Sequence, residues 1–300
     1  MLSFIELKNP SATFRISGPD ANTYLSGQFT QEIRVAPRGA AYGLWLNQKG
    51  KVLGDSHIVK LAENDHLVFS AAMAAAALRQ RLEDYLIADE VVLEDQTDRW
   101  GAFLLWGSQV MQAVERLAGH PLAAGAAAPV EDAWAFRAWG RNDWMWLLGP
   151  TDQAESWRAR LVSADGEEQA MEVAERERIL AGVASVPADI GPEDLPNEGG
   201  LEVTAISYTK GCYLGQEVMA RLKNLGQVRR KLHRVRGGGA VPAPRAPLHQ
   251  GGRRVGELRS VAPEAGGFVG LALLSLVNLD PRAPLSLGEG GPAIEVLPHE

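Results

Sequence analysis

The residues best suited to chemistry lie in one short stretch, residues 210–217, which reads K-G-C-Y-L-G-Q-E. It contains Cys212, the only cysteine of the chain, and it directly precedes apolar residues at helical spacing. A thiol shortly before a helix N-terminus and beside Lys210 experiences partial positive charge, which favours the reactive thiolate. A buried cysteine that packs as a small apolar side chain is an equally open interpretation.

The stretch is predicted to be a loop that leads into a short amphipathic helix. The helix should begin near Gln216 and end before Gly226, where a glycine with positive φ is expected. Its apolar face consists of Val218, Met219, Leu222 and Leu225.

Length and composition limit the classes of protein that the chain can represent. Three hundred residues with 46% apolar content predict two or three folded units. One cysteine excludes an internal disulfide and favours a reducing, cytoplasmic setting, and the scattered histidines have no metal-ligand spacing. Residues 1–10 lack a signal pattern and the alanine-rich run 71–78 is too short to cross a bilayer, so neither export nor membrane insertion is expected.

The charge is distributed unevenly along the chain. The net charge of −7 argues against a general nucleic-acid binder, but residues 218–256 contain ten Lys or Arg and no acid. This basic segment could attract an anionic ligand, a transfer RNA or another polyanion toward the cysteine loop. A solvated basic face is the alternative interpretation.

The order of predicted elements indicates an α+β fold with two similar halves, roughly 1–98 and 99–227. Each half resembles a ferredoxin-like succession of strand, helix, two strands and helix. The first half has strands at 12–16, 44–47, 52–60, 67–70 and 91–94 and helices at 20–25 and 72–86. The second has strands at 100–106, 134–139 and 144–148, a loose segment at 119–129, and helices at 108–117, 153–161 and 170–180.

A different pattern follows residue 228, where short apolar runs alternate with Gly and Pro. Such spacing predicts a small closed or nearly closed β-barrel over 228–300, after an α+β region over 1–227. The predicted barrel strands are 232–235, 253–261, 267–274, 285–287 and 293–297.

Two acidic residues are candidates for ligand contacts. Asp55 lies inside a predicted strand, where it either faces solvent or lines a pocket as an acceptor for N–H donors. Glu198 is the only acid between Asp194 and Glu202, in an irregular loop over 190–200. It is either a ligand acceptor or an ordinary polar loop residue.

With these residues in view, the chain resembles the YgfZ family of folate-binding proteins linked to iron–sulfur cluster assembly. Residues 210–217 match the family motif K-G-C-Y-x-G-Q-E, and residues 18–28 resemble its G-x-D-x-x-x-Y-x-x-G-Q segment. Residues 46–51 resemble the family's hairpin, and 178–182 the start of its long loop. Further positions that fit are Arg221, Gly226 and Arg229.

The family in turn is similar to the T-protein, the aminomethyltransferase of glycine cleavage, which implies a T-protein-like region that binds tetrahydrofolate. The similarity to the T-protein implies that Glu198 binds the pterin and that Asp55 lies near the reactive nitrogens of the folate. The resemblance to the YgfZ family implies that Cys212 is a functional thiol. It also implies cofactor contacts from Tyr24, Gln28, Lys210, Tyr213 and Arg221.

The chain also departs from the T-protein. C-Y-L-G at 212–215 replaces a D-F-I-G loop, and R-A-W-G-R-N-D at 137–143 replaces R-T-G-Y-T-G-E. T-protein activity is therefore not expected, although whether the chain is an enzyme stays open.

The resemblance implies a folate-binding protein that uses Cys212 in assembly or repair of iron–sulfur clusters, with a link to tRNA modification. Its expected partners are reduced folate and iron–sulfur client or assembly proteins. The alternatives are a folate-dependent aminomethyl transferase and a non-enzymatic adaptor.

Overall fold

A computed structural model of the chain describes residues 1–7, 12–33, 39–123, 125–277, 279–280 and 283–298. The end of the N-terminal stretch 1–10 therefore lies outside the described residues. The chain forms two β-sheets with helices and a closed β-barrel. The predicted α+β class with a C-terminal barrel is therefore confirmed. It divides into two compact units, Met1–Gln48, Leu53–Gln169 and Thr204–Gln216 in one, and Lys49–Val52, Ala170–Val203 and Glu217–Glu300 in the other.

The elements up to residue 169 are as follows. They are β1 (Leu2–Leu7), β2 (Ala12–Ser17), α1 (Ala21–Ser26), β3 (Ala40–Leu46), β4 (Val52–Ala62), β5 (Asp65–Ser70), α2 (Ala75–Glu83), β6 (Val92–Asp95), β7 (Trp100–Trp106), α3 (Val110–Ala118), β8 (Ala127–Val130), β9 (Ala133–Arg137), β10 (Trp144–Pro150), α4 (Ala154–Ser163) and β11 (Gly166–Glu168).

The remaining elements begin after residue 170. They are α5 (Met171–Leu180), α6 (Glu202–Ala205), α7 (Gln216–Leu225), β12 (Arg230–Gly238), β13 (Pro247–Gln250), β14 (Arg253–Glu264), β15 (Gly267–Ser275), β16 (Leu285–Leu287) and β17 (Ala293–Val296).

A five-stranded sheet in the order β3-β4-β5-β2-β6 organises the first part of the chain. Phe14 and Ile16 alternate along β2 and are buried, together with Leu78 and Leu82 of α2. Because residues two apart share one face of a strand and residues four apart share one face of a helix, these side chains form one core between sheet and helix.

A six-stranded sheet in the order β11-β1-β7-β10-β9-β8 forms the second layer of the same unit. The N-terminal strand β1 joins this sheet, antiparallel to β7 and parallel to β11. Its core contains Val110 and Val114 of α3 with Trp157 and Leu161 of α4. The N-terminal strand therefore pairs with β7, as in Ser3 with Trp106, and with the still more distant β11, as in Leu2 with Gly166.

Several sequence predictions of elements were wrong. The loose segment predicted at 119–129 contains the start of β8, which is the edge strand of its sheet, so Pro129 needs no ladder N–H there. The helix predicted at 72–86 is limited to α2. The strands β1, β11 and β13 were not predicted, because they are short or pair only with distant strands.

The C-terminal strands close into a barrel in the order β12-β15-β14-β13-β16-β17, as predicted. Helix α5 packs against β14 and β15 from outside. Val235, Leu258 and Phe268 belong to the barrel core. The five predicted runs all correspond to strands.

Two glycines next to α7 are required for close approach. Gly50, in the hairpin turn between β3 and β4, has φ of 71°, and an added Cβ would lie 2.9 Å from side-chain atoms of Val218 and Met219. Gly226 does not adopt the positive φ that was predicted, since a Cβ there would instead lie 1.6 Å from the carbonyl oxygen of Leu222. The lack of space for a side chain, and not a left-handed conformation, explains the glycine at this helix end.

Candidate functional site

The thiol of Cys212 lies in the loop between α6 and α7, where it is free and exposed. The interpretation of a buried, packing cysteine is therefore wrong. Helix α7 begins at Gln216, as predicted.

Lys210 fastens this loop to the segment after α1. Its side chain is only 8% exposed, and its ammonium donates to the carbonyl oxygens of Ser26, Phe29 and Gln31 at 2.9, 2.6 and 3.0 Å. A lysine ammonium has three N–H donors, so these carbonyls match its full donor capacity. These contacts define a structural role for Lys210. Its predicted role in cofactor binding stays a prediction.

Tyr213 fixes the other side of the cysteine. Its ring is buried, and the Lys210 Nζ lies 5.4 Å from the ring centroid, within the range of a cation–π contact. Burial raises the pKa of the Tyr213 hydroxyl, which therefore stays protonated. The backbone N–H of Leu214 also donates to the Gly27 carbonyl at 3.2 Å. Cys212 is thus an exposed residue between two anchored neighbours.

Tyr24 and Gln28, two further predicted cofactor contacts, are buried in the unit that contains the two sheets. The Tyr24 hydroxyl donates to the carbonyl of Leu82, and the Gln28 carbonyl oxygen accepts from Arg81. Burial raises the pKa of Tyr24. Arg221, by contrast, is exposed on α7. The predicted binding roles of these residues stay predictions.

Asp55 is directed into the protein, so the interpretation that it faces solvent is wrong, whereas its predicted role in lining a pocket stays a prediction. Its side chain on β4 is 8% exposed, and its Oδ2 accepts from the Tyr42 hydroxyl at 3.0 Å. Burial raises the pKa of Asp55 to about 7, although the hydrogen bond from Tyr42 lowers it. A carboxyl group with such a pKa can accept or release a proton near neutral pH.

His57 lies next to Tyr42, the partner of Asp55, and binds the backbone of Trp139, which has an unusual conformation. Its ring centroid is 4.9 Å from that of Tyr42, and its Nε2 accepts from the backbone N–H of Trp139 at 3.1 Å. Burial lowers the pKa of His57 to about 3, so the ring is neutral and can accept. Trp139 has φ of 52°, which is rare for an aromatic residue.

Glu198 lies in the other compact unit, in a 3₁₀ turn at Pro196–Glu198, and is 4% exposed. Both of its carboxylate oxygens accept from Arg230, from Nε and Nη2 at 2.9 Å each. Its Oε2 also accepts from the backbone N–H of Leu195 at 2.8 Å.

The partly exposed Arg230 belongs to a group of charges whose other members are buried. Asp194 accepts from Arg230 at 3.0 Å and from Arg259 at 2.9 Å, and Arg178 pairs with Asp189 at 2.8 Å. Burial alone would raise the pKa of Asp194, but the hydrogen bonds from the Gly191 N–H and from Arg259 lower it overall. The barrel strands are thereby joined electrostatically to the loop that carries Glu198.

An open pocket of about 860 Å³ adjoins Glu198, within the unit that contains the barrel. This volume lies in the range of ligand sites, roughly 300–1,000 Å³. Three cationic side chains contribute to a wall that is otherwise partly apolar. The lining residues are Lys51, Leu195, Glu198, Leu222, Gln227, Val228, Arg229, Arg230, Ser275 and Val277. Such a pocket suits an anionic ligand with an apolar part.

The basic segment 218–256 is partly neutralised by its own unit. Arg230, Arg236, Arg245 and Arg254 pair with carboxylates, and Arg234 donates to the carbonyls of Leu180 and Pro298. At least five of its ten cations therefore have partners within the chain, and the segment is not one continuous unpaired basic surface.

Sequence reasoning missed Tyr42, His57, Trp139 and Arg230. The first three lie on separate elements whose contact depends on the packing of the unit, so no local pattern marks them. Arg230 lies in the basic segment, where nothing in the sequence distinguishes it from the neighbouring cations.

In the described ranges, no group of three or more His, Cys, Asp or Glu side chains is arranged to hold a metal ion. No helix in these ranges has the length and apolar character needed to span a membrane.

Comparison with solved structures defines the fold. The glycine cleavage system aminomethyltransferase T from Bartonella henselae superposes with a TM-score of 0.81 over 98% of this chain and 84% of its own, at 18% identity. A GCVT N-terminal domain model matches residues 9–130, and a CAF17 C-terminal beta-barrel domain model matches residues 229–299. The chain thus has an aminomethyltransferase T fold with a CAF17-type barrel.

Curated relatives narrow this class to a family. The human iron–sulfur cluster assembly factor IBA57, mitochondrial, is 30% identical over 87% of this chain and 74% of its own length. The tRNA-modifying protein YgfZ of Edwardsiella ictaluri is 28% identical over 74% of this chain and 67% of its own. The chain belongs to this IBA57 and YgfZ family, so the family predicted from residues 210–217 is confirmed.

The sequence match covers only part of one fungal relative. The Cryptococcus neoformans IBA57 homolog is 26% identical over 75% of this chain but over 64% of its own length. The chain thus spans less than two thirds of that relative.

The raised pKa of Asp55 predicts a pH-dependent stability. The carboxyl group titrates near 3.8 when exposed and near 7 in the fold, so between these values the folded state binds more protons than the unfolded state. The free energy of unfolding should therefore fall as pH rises from about 4 to 7, by at most about 4 kcal/mol. Asp55→Asn should remove this loss and make the protein more stable than wild type at pH 8.

Urea unfolding at pH 5, 6, 7 and 8 measures the effect, with Asp152→Asn as the control because Asp152 is exposed. Parallel pH profiles for the wild type and Asp55→Asn would contradict the assignment.

Proposed function

We propose that this chain is a folate-binding factor for iron–sulfur cluster assembly or repair, whose working group is the Cys212 thiol. The observation that carries the proposal is the anchored loop, in which Lys210 and Tyr213 are buried while the cysteine between them is exposed. A thiol held this way can approach a client protein without first ordering its own loop. The name of the human relative, iron–sulfur cluster assembly factor IBA57, points in the same direction.

The cluster is the substrate in this proposal. A cluster held by protein thiolates alone needs about four cysteines, and this chain has one. Contact with a cluster must therefore be transient and shared with the client, an assembly protein or a second copy of the chain. The partners are accordingly iron–sulfur client or assembly proteins.

The Glu198 pocket supports reduced folate as the cofactor. The carboxylate accepts three hydrogen bonds of the about four that it can accept, which leaves capacity for one pterin N–H. Lys51, Arg229 and Arg230 suit the anionic glutamate tail. When bound, tetrahydrofolate would supply one-carbon carrier chemistry. Asp55, with a pKa of about 7, is the group that we assign to proton transfer.

The aminomethyl transferase remains the competing function, because the fold is that of aminomethyltransferase T. Against it, residues 137–143 lack the glycine-rich sequence expected there, and Arg141 and Asp143 pair with each other at 2.9 Å. A link to tRNA modification rests on the name of the Edwardsiella ictaluri relative and on the exposed cations of segment 218–256. An adaptor without chemistry would not require the thiol.

The cytoplasmic placement is part of the proposal and rests on the single cysteine. The human and fungal relatives are mitochondrial by name. Both compartments keep thiols reduced, which is what the proposed function requires.

Cys212→Ser should abolish function in a strain that lacks the gene. Iron–sulfur enzyme activities should fall to the level of the deletion strain, while glycine cleavage stays intact, because only the thiol is lost. Gly211→Ala is the matched control, since an added Cβ at Gly211 meets no atom within 4 Å. Full complementation by Cys212→Ser would overturn the role of the thiol, and loss of glycine cleavage in the deletion strain would favour the transferase.

Tetrahydrofolate should bind the purified chain, and Glu198→Gln should weaken the binding by roughly ten- to a hundredfold, the value of one charged hydrogen bond. Titration calorimetry measures both affinities. Glu202→Gln is the control, since Glu202 lies in the same unit but does not line the pocket. Equal affinities of the wild type and Glu198→Gln would remove Glu198 from the site, and no binding by the wild type would refute folate as the cofactor.

A further inference from the structure

Arg81 on α2 is a buried cation for which the described part of the chain supplies no carboxylate partner. Its side chain is 5% exposed. Its Nη1 donates to the side-chain oxygen Oε1 of Gln28. Among the described residues, its buried Nε and Nη2 have no acceptor, and neither has the side-chain nitrogen of Gln28. Two adjacent side chains thus present three buried donor atoms that lack an acceptor.

The two unpaired atoms of Arg81 are the ones that bind carboxylates elsewhere in this chain. Nε and Nη2 lie on the same edge of the guanidinium, and this edge fits the two oxygens of a carboxylate or phosphate. Several arginines use it in this way. They are Arg15 on Asp65, Arg141 on Asp143, Arg230 on Glu198 and Arg236 on Glu264.

Aromatic contacts do not replace the missing acceptor. The guanidinium carbon of Arg81 lies 4.3 Å from the ring centroid of Tyr85 and 5.7 Å from that of Trp45. These contacts cover the faces of the guanidinium, whereas N–H donors require an acceptor in the guanidinium plane. Burying a charged donor without an acceptor is costly, so such groups in folded proteins normally have a partner.

We propose that the Nε and Nη2 edge of Arg81, with the amide of Gln28, is a binding site for one oxyanion of carboxylate or phosphate type. The ring of Tyr85 contacts Arg81 and is itself 36% exposed, so the site lies about one side chain below the surface. A small oxyanion fits such a position, and so does a terminal carboxylate on a larger ligand. The proposal does not depend on the folate site, because Glu198 and its pocket belong to the other unit.

The test is the thermal unfolding midpoint of the full chain with inorganic phosphate, acetate or triglutamate, at ionic strength held constant with chloride. At least one probe should raise the wild-type midpoint by about 2–5 °C. Arg81→Met should show no such rise. Arg79→Met, on the same helix, should respond like the wild type, because Arg79 already pairs with Glu83 and Asp95.

The probes also distinguish the sources of the oxyanion. A rise with phosphate or acetate indicates a free anion, and a rise with triglutamate alone indicates a carboxylate carried by a larger ligand. If Arg81→Met does not fold, the ¹⁵Nε–H NMR signal of Arg81 in the wild type, identified by its loss in Arg81→Lys, should shift during the same titrations. Equal midpoint shifts in the wild type and Arg81→Met, or an Arg81 signal that none of the three probes moves, would overturn the proposal.

Discussion

The buried ammonium of Lys210 is the interaction on which the cysteine loop depends. It donates to three backbone carbonyls of residues 26–31, and each charge-assisted hydrogen bond of this kind contributes about 1.5–3 kcal/mol. Without the ammonium, these carbonyls would lose their shared donor in a buried place. The same cation lies near the ring of Tyr213, so one charge orders both flanks of Cys212. The thiol between these anchored neighbours is exposed.

Charge also organises the two candidate ligand regions, but in opposite ways. Glu198 and Asp194 pair with arginines, and although burial raises the pKa of Asp194, the hydrogen bonds from the Gly191 N–H and from Arg259 lower it overall. Asp55 accepts instead from the neutral hydroxyl of Tyr42, and burial raises its pKa to about 7. One region therefore suits the recognition of a charged ligand, and the other suits proton transfer.

Local patterns in the sequence were enough for some features and not for others. The motif at 210–217 identified the family, and the short apolar runs after residue 228 identified the barrel, because both signals lie within a few neighbouring residues. The placement of β1 in the six-stranded sheet depends on pairing with β7, about one hundred residues away. The partners of the candidate acids, Tyr42 for Asp55 and Arg230 for Glu198, likewise come from other elements. Contacts between elements that are distant in the sequence produce no periodic pattern of residue types.

The most direct test of the central claim keeps Cys212 and removes its support. Lys210→Met is expressed in a deletion strain at a level of folded protein matched to the wild type, and iron–sulfur enzyme activity is measured. Lys231→Met serves as the control because Lys231 is exposed on β12. If the anchored loop positions the thiol, Lys210→Met should lose most of the activity that the wild type restores, whereas Lys231→Met should retain it. Full activity of Lys210→Met at equal protein level would contradict the account.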